Sequence, residues 1–233
     1  MNNLEKDKYF LFFGINKIKF VALNQKNEII FDKVILIDES KLDKNFKALE
    51  NFLDKNVIEI EKILKSYIKD ITLIIDDNNF LTIDISSINN FKNYFNQNNN
   101  NLNSLIDLKN NLKKYMIGYE IAHMIINKFI VGEQEYSSMP KELNHQNIFL
   151  EIRFICLKIE NYQRLKKKFS KYQINIKNIL SYKYINSFKN SAQDNIFDIA
   201  ERLMNGLNQN EILLINKSSK NKGFFEKFFN FFK

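Results

Sequence analysis

Three aspartates, Asp76, Asp77 and Asp84, are the side chains whose types and spacing first suggest chemistry. Carboxylates this close together in sequence can hold a divalent cation or share a proton in acid–base catalysis. Asp76 and Asp77, however, open the sequence Asp-Asp-Asn-Asn, which is typical of a polar turn between two apolar runs. Turn formation is the simpler interpretation, so we predict neither a metal site nor a catalytic carboxylate pair.

The two histidines and the single cysteine have no spacing that indicates catalysis. His123 lies within an apolar run and His145 within a polar one, without a recognisable nucleophile or metal-ligand pattern. Cys156 lies in the apolar run 154–157, so it is predicted to be a small buried side chain. A lone cysteine forms no intramolecular disulfide, and a reducing compartment is the simplest interpretation. We therefore predict that the protein is not an enzyme.

The net positive charge favours an anionic partner. The 233 residues include 35 Lys and Arg against 27 Asp and Glu, which gives a net charge of +8, and 45% are hydrophobic, enough for a folded core. Nucleic acid and an anionic membrane surface are the two partner classes that this charge suggests. Arg164 to Lys168 is the candidate nucleic-acid contact, but a solvated face of an amphipathic helix is the favoured interpretation, and no nucleic acid is expected as a partner.

Hydrophobic periodicity predicts a mixed α/β fold. Apolar runs and alternation predict strands, whereas recurrence at three and four residues predicts amphipathic helices. The predicted strands cover residues 9–14, 17–23, 28–37, 71–75, 80–85, 120–131, 148–159 and 174–180. The predicted helices cover residues 43–69, 102–115, 160–172 and 196–207, and residues 132–147 are predicted to be a loop. No apolar run reaches the roughly 18 residues that span a bilayer, and the first residues lack a signal-peptide pattern, so neither secretion nor membrane spanning is expected.

The last twelve residues carry a repeated phenylalanine pattern. Counted from Phe224, apolar residues recur at i, i+1, i+4, i+5, i+7 and i+8, which is one continuous stripe on a helix. Such a helix with flanking lysines is typical of binding to an anionic membrane surface; the alternative is packing on the protein's own core or on a partner. The predicted membrane-binding residues are Phe224, Phe225, Phe228, Phe229, Phe231, Phe232, Lys222, Lys227 and Lys233.

Three segments together resemble FtsA, the actin-like bacterial division protein. Residues 12–18, Phe-Phe-Gly-Ile-Asn-Lys-Ile, stand where the family has its first phosphate loop, with the pattern Asp-hydrophobic-Gly-Thr/Ser-Ser-Lys-hydrophobic. Residues 120–180 resemble the family's small inserted domain, and residues 222–233 resemble its membrane-targeting helix. The resemblance implies a partial actin-like (ribonuclease H-like) lobe, an inserted strand-helix-strand-strand (SHS2-type) domain and a C-terminal amphipathic helix.

The resemblance also implies a domain organisation. The implied segments are a partial actin-like lobe at 1–79, an SHS2-like inserted domain at 80–182, the remainder of the first lobe at 183–215, a linker at 216–222 and the membrane-targeting helix at 223–233. The second lobe of the family has no counterpart, and the chain is about half the family's length.

The first loop departs from the family pattern at two positions of the phosphate-binding motif. Phe12 stands in place of the Asp that helps to hold metal and phosphates, and Ile15 in place of Thr. The loop residues Phe12, Gly14, Ile15, Asn16 and Lys17 are therefore degenerate for nucleotide binding. The family's second phosphate loop and its adenosine Gly-Gly are absent, because no two of the five glycines are adjacent. We expect no ATP, no other cofactor and no metal.

The expected function is that of a reduced, FtsA-like scaffold of the division septum. The resemblance places it as a peripheral protein on the cytoplasmic face of the inner membrane at the division site, with the inserted domain contacting other division proteins. Contact with FtsZ and self-association are left open, since the lobe that docks FtsZ in the family is missing. The alternatives are a pilus-assembly protein of the same actin-like origin and a basic nucleic-acid-binding protein.

Overall fold

The computed structural model describes five segments of the chain. They are residues 7–37, 42–76, 80–89, 100–138 and 148–212. The chain divides into two compact units with boundaries at residues 79/80, 159/160 and 202/203, so that the first unit is built from two separate stretches of sequence.

Nine strands and five helices are defined within the described residues. In chain order they are β1 (Lys8–Phe13), β2 (Lys17–Leu23), β3 (Ile29–Leu36), α1 (Leu42–Leu64), β4 (Asp70–Ile75), β5 (Leu81–Asn89), α2 (Asn100–Tyr115), β6 (Tyr119–Val131), β7 (Gln134–Tyr136), β8 (Ile148–Lys158), α3 (Ile159–Ser170), β9 (Asn175–Ser181), α4 (Tyr182–Asn186) and α5 (Ile196–Met204). The mixed α/β prediction is confirmed, and every predicted strand and helix overlaps an observed one of the same type.

The first unit is a five-stranded sheet with the order β3-β2-β1-β4-β9. Short turns make β1, β2 and β3 antiparallel neighbours, whereas β4 and β9 run parallel to β1 because helices lie between these strands in sequence. α1 contacts one face through Phe46, whose ring centroid is 5.4 Å from that of Phe13. α5 contacts the other face through Phe197, 6.1 Å from Phe10. Burial on both faces explains why β1 and β4 read as unbroken apolar runs.

The boundary of the first unit differs from the predicted domain organisation. Residues 160–182 were assigned to the inserted domain 80–182, but β9 pairs in parallel with β4 from Asp70↔Asn175 to Ile75↔Ser181. The preceding helix α3 belongs to the same unit and buries Leu165 and Phe169. Hydrophobic alternation predicts that a strand exists, but the sheet that it joins depends on long-range pairing.

The second unit is an antiparallel sheet with the order β5-β8-β6-β7. Its apolar face forms a core around Ile152 and Phe154, and α2 adds Leu108 and Leu112 to it. The other face carries charged pairs such as Asp84 with Arg153. β7 lies within the segment 132–147 that was predicted to be only a loop; Gly132, with φ of 63°, turns the chain back so that residues 134–136 pair with the end of β6.

Candidate functional site

The loop from Gly14 to Asn16 lies at the carboxyl end of β1 in the first unit. The carboxyl ends of β1 and β4 are adjacent there, since the Asp76 N–H donates to the Phe13 carbonyl at 3.0 Å. Loops at the carboxyl ends of parallel strands are the usual position for ligand sites in α/β sheets. The loop therefore occupies the position at which the sequence resemblance places a phosphate loop.

Hydrogen bonds hold this loop closed. The Gly14 N–H donates to the Lys17 carbonyl at 3.0 Å, so this amide is used within the turn. The side-chain amide of Asn45, on α1, donates to the carbonyls of Gly14 at 3.0 Å and Ile15 at 2.8 Å. Asn45 is fully buried. A phosphate loop needs backbone N–H groups directed toward its ligand, and the Gly14 N–H is not.

Phe12 fills the space beside the loop. Its side chain is only 2% exposed, and its ring meets the ring of Tyr182, at the start of α4, edge to face at a centroid distance of 5.3 Å. A Cβ atom at Gly14 would lie 2.6 Å from Phe12 Cε1, which is closer than any real contact. The absence of a side chain at position 14 thus allows the Phe12 ring to lie against the backbone.

Lys17 completes the arrangement by covering the aromatic ring. Its Nζ lies 5.3 Å from the Phe12 ring centroid, which is within the range of a cation–π contact. Ile15 is half-buried and Asn16 exposed, and Asn16 accepts a 2.8 Å hydrogen bond from the Ile37 N–H through its carbonyl. The predicted loop residues thus lie around the buried aromatic ring of Phe12.

The three aspartates are divided between the two units and the residues outside the description. Asp76 belongs to the first unit and Asp84 to the second, while Asp77 lies outside the described residues. Arg153 donates to both carboxylate oxygens of Asp84 at 2.8 Å and lowers the pKa of that carboxyl. Within the described ranges, no group of three or more His, Cys, Asp or Glu side chains is positioned to hold a metal ion.

Two members of the basic run 164–168 contact α1. The Arg164 guanidinium carbon lies 3.9 Å from the Phe46 ring centroid, and Lys168 Nζ lies 2.6 Å from a Glu50 carboxylate oxygen. Lys171 also pairs with Glu50. Hydrogen bonds from Lys168 and then Lys171 lower the pKa of Glu50 to about 2. Part of the positive charge in this run therefore stabilises the packing of α3 on α1.

A buried polar pair lies in the second unit, where His123 Nδ1 is 3.4 Å from Glu211 Oε2. Both side chains are fully buried. The other carboxylate oxygen of Glu211 accepts a 3.2 Å hydrogen bond from the Met124 N–H, and the Ile212 N–H donates to the Met124 carbonyl at 2.8 Å. These contacts attach residues 210–212 to β6. His145 lies outside the described residues.

The remaining predictions fall on a buried thiol and on the phenylalanine-rich segment. Cys156 is fully buried, as predicted, and burial followed by the negative charge of Glu120 raises the pKa of its thiol to about 11. The predicted membrane-binding residues between Lys222 and Lys233 lie outside the described residues. Of the helices in the described part of the chain, none has the length and apolar character needed to cross a membrane.

The buried polar contacts of Asn45 and of Glu211 were not predicted from the sequence. Each has a weak local signal, since Asn45 interrupts the start of an amphipathic helix directly before the buried Phe46, and Glu211 begins a short apolar run. Such polar residues among apolar neighbours indicate a specific hydrogen-bonding role when they are buried. Their partners lie 30 or more residues away in sequence, which is why spacing alone did not identify them.

The two sheets with their helices define the class of protein: a mixed α/β fold that is consistent with a partial actin-like fold. The chain is similar to a solved structure described as the PilM-PilN type IV pilus biogenesis complex, with a TM-score of 0.50 and 7% sequence identity. The match covers 85% of this chain and 52% of the other, so this chain spans about half the length of the matched one. At this identity the similarity shows an actin-like fold alone. A scan against protein-family models and a search of curated proteins find no match.

Proposed function

We propose that this protein is a nucleotide-free scaffold of actin-like fold that holds partner proteins at the cytoplasmic face of the inner membrane. The observation that carries the proposal is the Phe12 ring, which is buried against Tyr182 and Gly14 where a nucleotide-binding relative needs an acidic side chain. A buried aromatic ring can neither ligate a cation nor accept hydrogen bonds from its waters. The actin-like framework is thus retained while its nucleotide chemistry is lost, and the protein is not an enzyme.

The first candidate process is bacterial cell division, in the manner of FtsA. The second unit runs β5, α2, β6, the three-residue β7 and β8. Apart from the short β7 this order is strand, helix, strand, strand, which supports its assignment as the SHS2-type inserted domain that contacts other division proteins. The phenylalanine stripe from Phe224 to Phe232, with neighbouring lysines, supports membrane attachment. FtsZ contact and self-association are not part of the proposal, because no feature of the described residues identifies either contact.

A second candidate process is pilus assembly. It is suggested by the similarity to the PilM-PilN type IV pilus biogenesis complex. Both candidates share the actin-like fold, so this similarity does not distinguish between them. A nucleic-acid-binding function is less well supported than either process, because Arg164 and Lys168 of the basic run contact Phe46 and Glu50 within the first unit. Neutral substitutions in that run would disturb the packing of α3 on α1 as well as any surface contact.

Two measurements test the shared part of the proposal. Isothermal titration with Mg²⁺-ATP should show no binding up to millimolar concentration; stoichiometric binding would overturn the nucleotide-free scaffold. The full chain should sediment with vesicles containing phosphatidylglycerol, whereas a chain ending at Lys222 should not. Equal sedimentation of the two chains, or of neither, would contradict the role of the phenylalanine stripe.

The two candidate processes are separated by location and partners in the native cell. A fluorescent fusion of the full chain should form a midcell band whose timing follows septum formation. A distribution that follows the pilus machinery, together with crosslinking to its components, would instead support pilus assembly. A fusion lacking residues 223–233 is the matched control, and its release into the cytoplasm is expected in both cases.

A further inference from the structure

Two large apolar side chains are exposed at the corner between α2 and β6 in the second unit. Tyr115 is 86% exposed and Ile117 82% exposed, although the intervening Met116 packs on the core of this unit. Exposed apolar side chains are common singly, but two on one tight turn form a small apolar projection. Among the described residues, neither side chain packs on the apolar core of the second unit.

Backbone hydrogen bonds hold the corner rigidly. The Met116 N–H donates to the Leu112 carbonyl at 2.8 Å, and the Tyr119 N–H donates to the Met116 carbonyl at 3.0 Å, which closes a four-residue turn with Ile117 at its second position. The Gly118 carbonyl accepts a further hydrogen bond from the Ile159 N–H at 2.8 Å. Tyr115 and Ile117 therefore lie on a fixed turn, so little conformational entropy is lost when their side chains enter an apolar environment.

Positive charge surrounds this apolar projection. Lys113 and Lys114 form the last turn of α2 and are exposed, and the exposed Lys158 pairs in register with Tyr119. Two acidic residues lie near the corner: Glu120, whose carboxylate is bound by Lys113 at 3.1 Å, and the exposed Glu160, two residues after Lys158 in sequence. The pKa of the half-buried Lys109 is lowered mainly by burial and further by the nearby charge of Lys113.

The attachment of residues 210–212 to β6 fixes the last described residues on the second unit. Ile212 is bonded to Met124, which is seven residues along the chain from Ile117, a separation of about 20 Å on an extended strand. Phe224 follows Ile212 by 12 residues, and 12 residues reach at most about 40 Å. The connecting length is therefore sufficient for Phe224 to reach the corner.

We propose that the corner formed by Tyr115, Ile117, Lys113 and Lys114 is a second membrane contact, which inserts its two apolar side chains into an anionic bilayer. This inference rests on the proposed membrane attachment and deepens it. The phenylalanine stripe supplies a tether, and the corner fixes the orientation of the second unit against the lipid surface. Amphipathic Tyr and aliphatic Ile with flanking lysines match the interfacial region of such a bilayer in chemistry.

The first test measures partitioning of the full-length protein onto vesicles of phosphatidylcholine and phosphatidylglycerol. The double variant Y115S/I117S should bind at least about tenfold more weakly, because two apolar side chains no longer leave water. The matched control is L36S/Y67S, which removes an aliphatic and a tyrosine side chain of similar exposure, 84% and 78%, from the first unit. The control should bind like the wild type. K114Q should weaken binding about fivefold, and the exposed Lys55 changed to Gln should not.

The second test uses the absence of tryptophan from the chain. The variant I117W introduces a single tryptophan at the corner, which can be excited at wavelengths that the ten tyrosines do not absorb. Its emission should shift to shorter wavelength when phosphatidylglycerol vesicles are added. L36W is the control and should not shift. An unshifted I117W in a sample that sediments with the vesicles would overturn the inference, as would equal losses of binding in Y115S/I117S and L36S/Y67S.

The two levels of the argument fail in distinguishable ways. If the wild-type chain binds vesicles and Y115S/I117S binds equally well, the corner is not a membrane contact, and the attachment through the phenylalanine stripe stands. If the wild-type chain does not bind vesicles at all, both the proposed attachment and the corner contact are wrong.

Discussion

Replacement of Phe12 by alanine tests whether the closed loop is a structural element of the first unit. The side chain is 2% exposed, meets Tyr182 edge to face and lies under Lys17 Nζ. Truncation of a buried Phe to Ala costs about 3–5 kcal/mol, of which the aromatic pair accounts for about 0.5–1.5 kcal/mol. We expect the destabilisation by F12A to fall within this range. Gly14 lies on one side of the emptied space and Tyr182 on the other, and both are held by other contacts, so a cavity should remain.

The matched control is Phe188, which forms a similar edge-to-face pair with Tyr184 at 5.2 Å but is only half-buried. F188A loses an aromatic pair without leaving a closed cavity, so it should cost about 1 kcal/mol. The difference between the two variants isolates the contribution of burial beside the loop.

Hydrogen exchange measured by mass spectrometry is the appropriate assay, because two compact units need not unfold together and a global midpoint would combine them. Peptides covering β1 and β4 should lose protection in F12A, while peptides from β6 and β8 should keep theirs. A cost below about 1 kcal/mol, or equal losses in F12A and F188A, would refute the interpretation of Phe12 as a filled site. The loop would then be open enough to admit a ligand.

Three further predictions follow from the same contacts. G14A should destabilise the first unit by about 1–3 kcal/mol through overpacking against Phe12. In urea titrations the double variant F12A/G14A should lose less free energy of unfolding than the sum of the two single variants, because removal of the Phe12 ring removes the clash. Strict additivity would contradict this. Lys168 and Lys171 lower the pKa of Glu50 from 4.5 to about 2. The ion pairs of Glu50 therefore stabilise the fold above about pH 4.5, and this contribution is lost as the pH falls toward 2. E50Q should flatten that part of the acid-unfolding curve, and an unchanged curve would contradict a stabilising role of these pairs. Cys156 is buried and its thiol pKa is raised to about 11, so a thiol reagent at pH 8 should modify the native protein far more slowly than the urea-unfolded protein; comparable rates would show that the site is open.

The loop and the basic run show how differently two sequence predictions depend on tertiary contacts. The resemblance predicted from the sequence that Phe12 stands where a phosphate loop has its acidic residue, because that motif has a fixed spacing. The destination of its ring was not visible, since Tyr182 lies 170 residues away and comes to the loop only through the pairing of β9 with β4. Likewise Lys168 is an ordinary lysine in sequence, and its partner Glu50 is 118 residues away.

The sequence by itself determined the local elements, because periods of two and of 3.6 residues record which faces of a strand or helix are buried. It also determined that the first loop lacks the acidic and hydroxyl side chains of a phosphate loop. The tertiary structure alone decided that β9 and α3 complete the first sheet rather than the second, that Phe12 fills the space beside Gly14, and that Glu211 attaches the segment before the phenylalanine stripe to β6. The physical reason is that hydrophobic periodicity depends on residues that are neighbours in sequence, whereas strand pairing and buried polar contacts join residues that are far apart in sequence. The energies of these long-range contacts depend on the whole fold being formed.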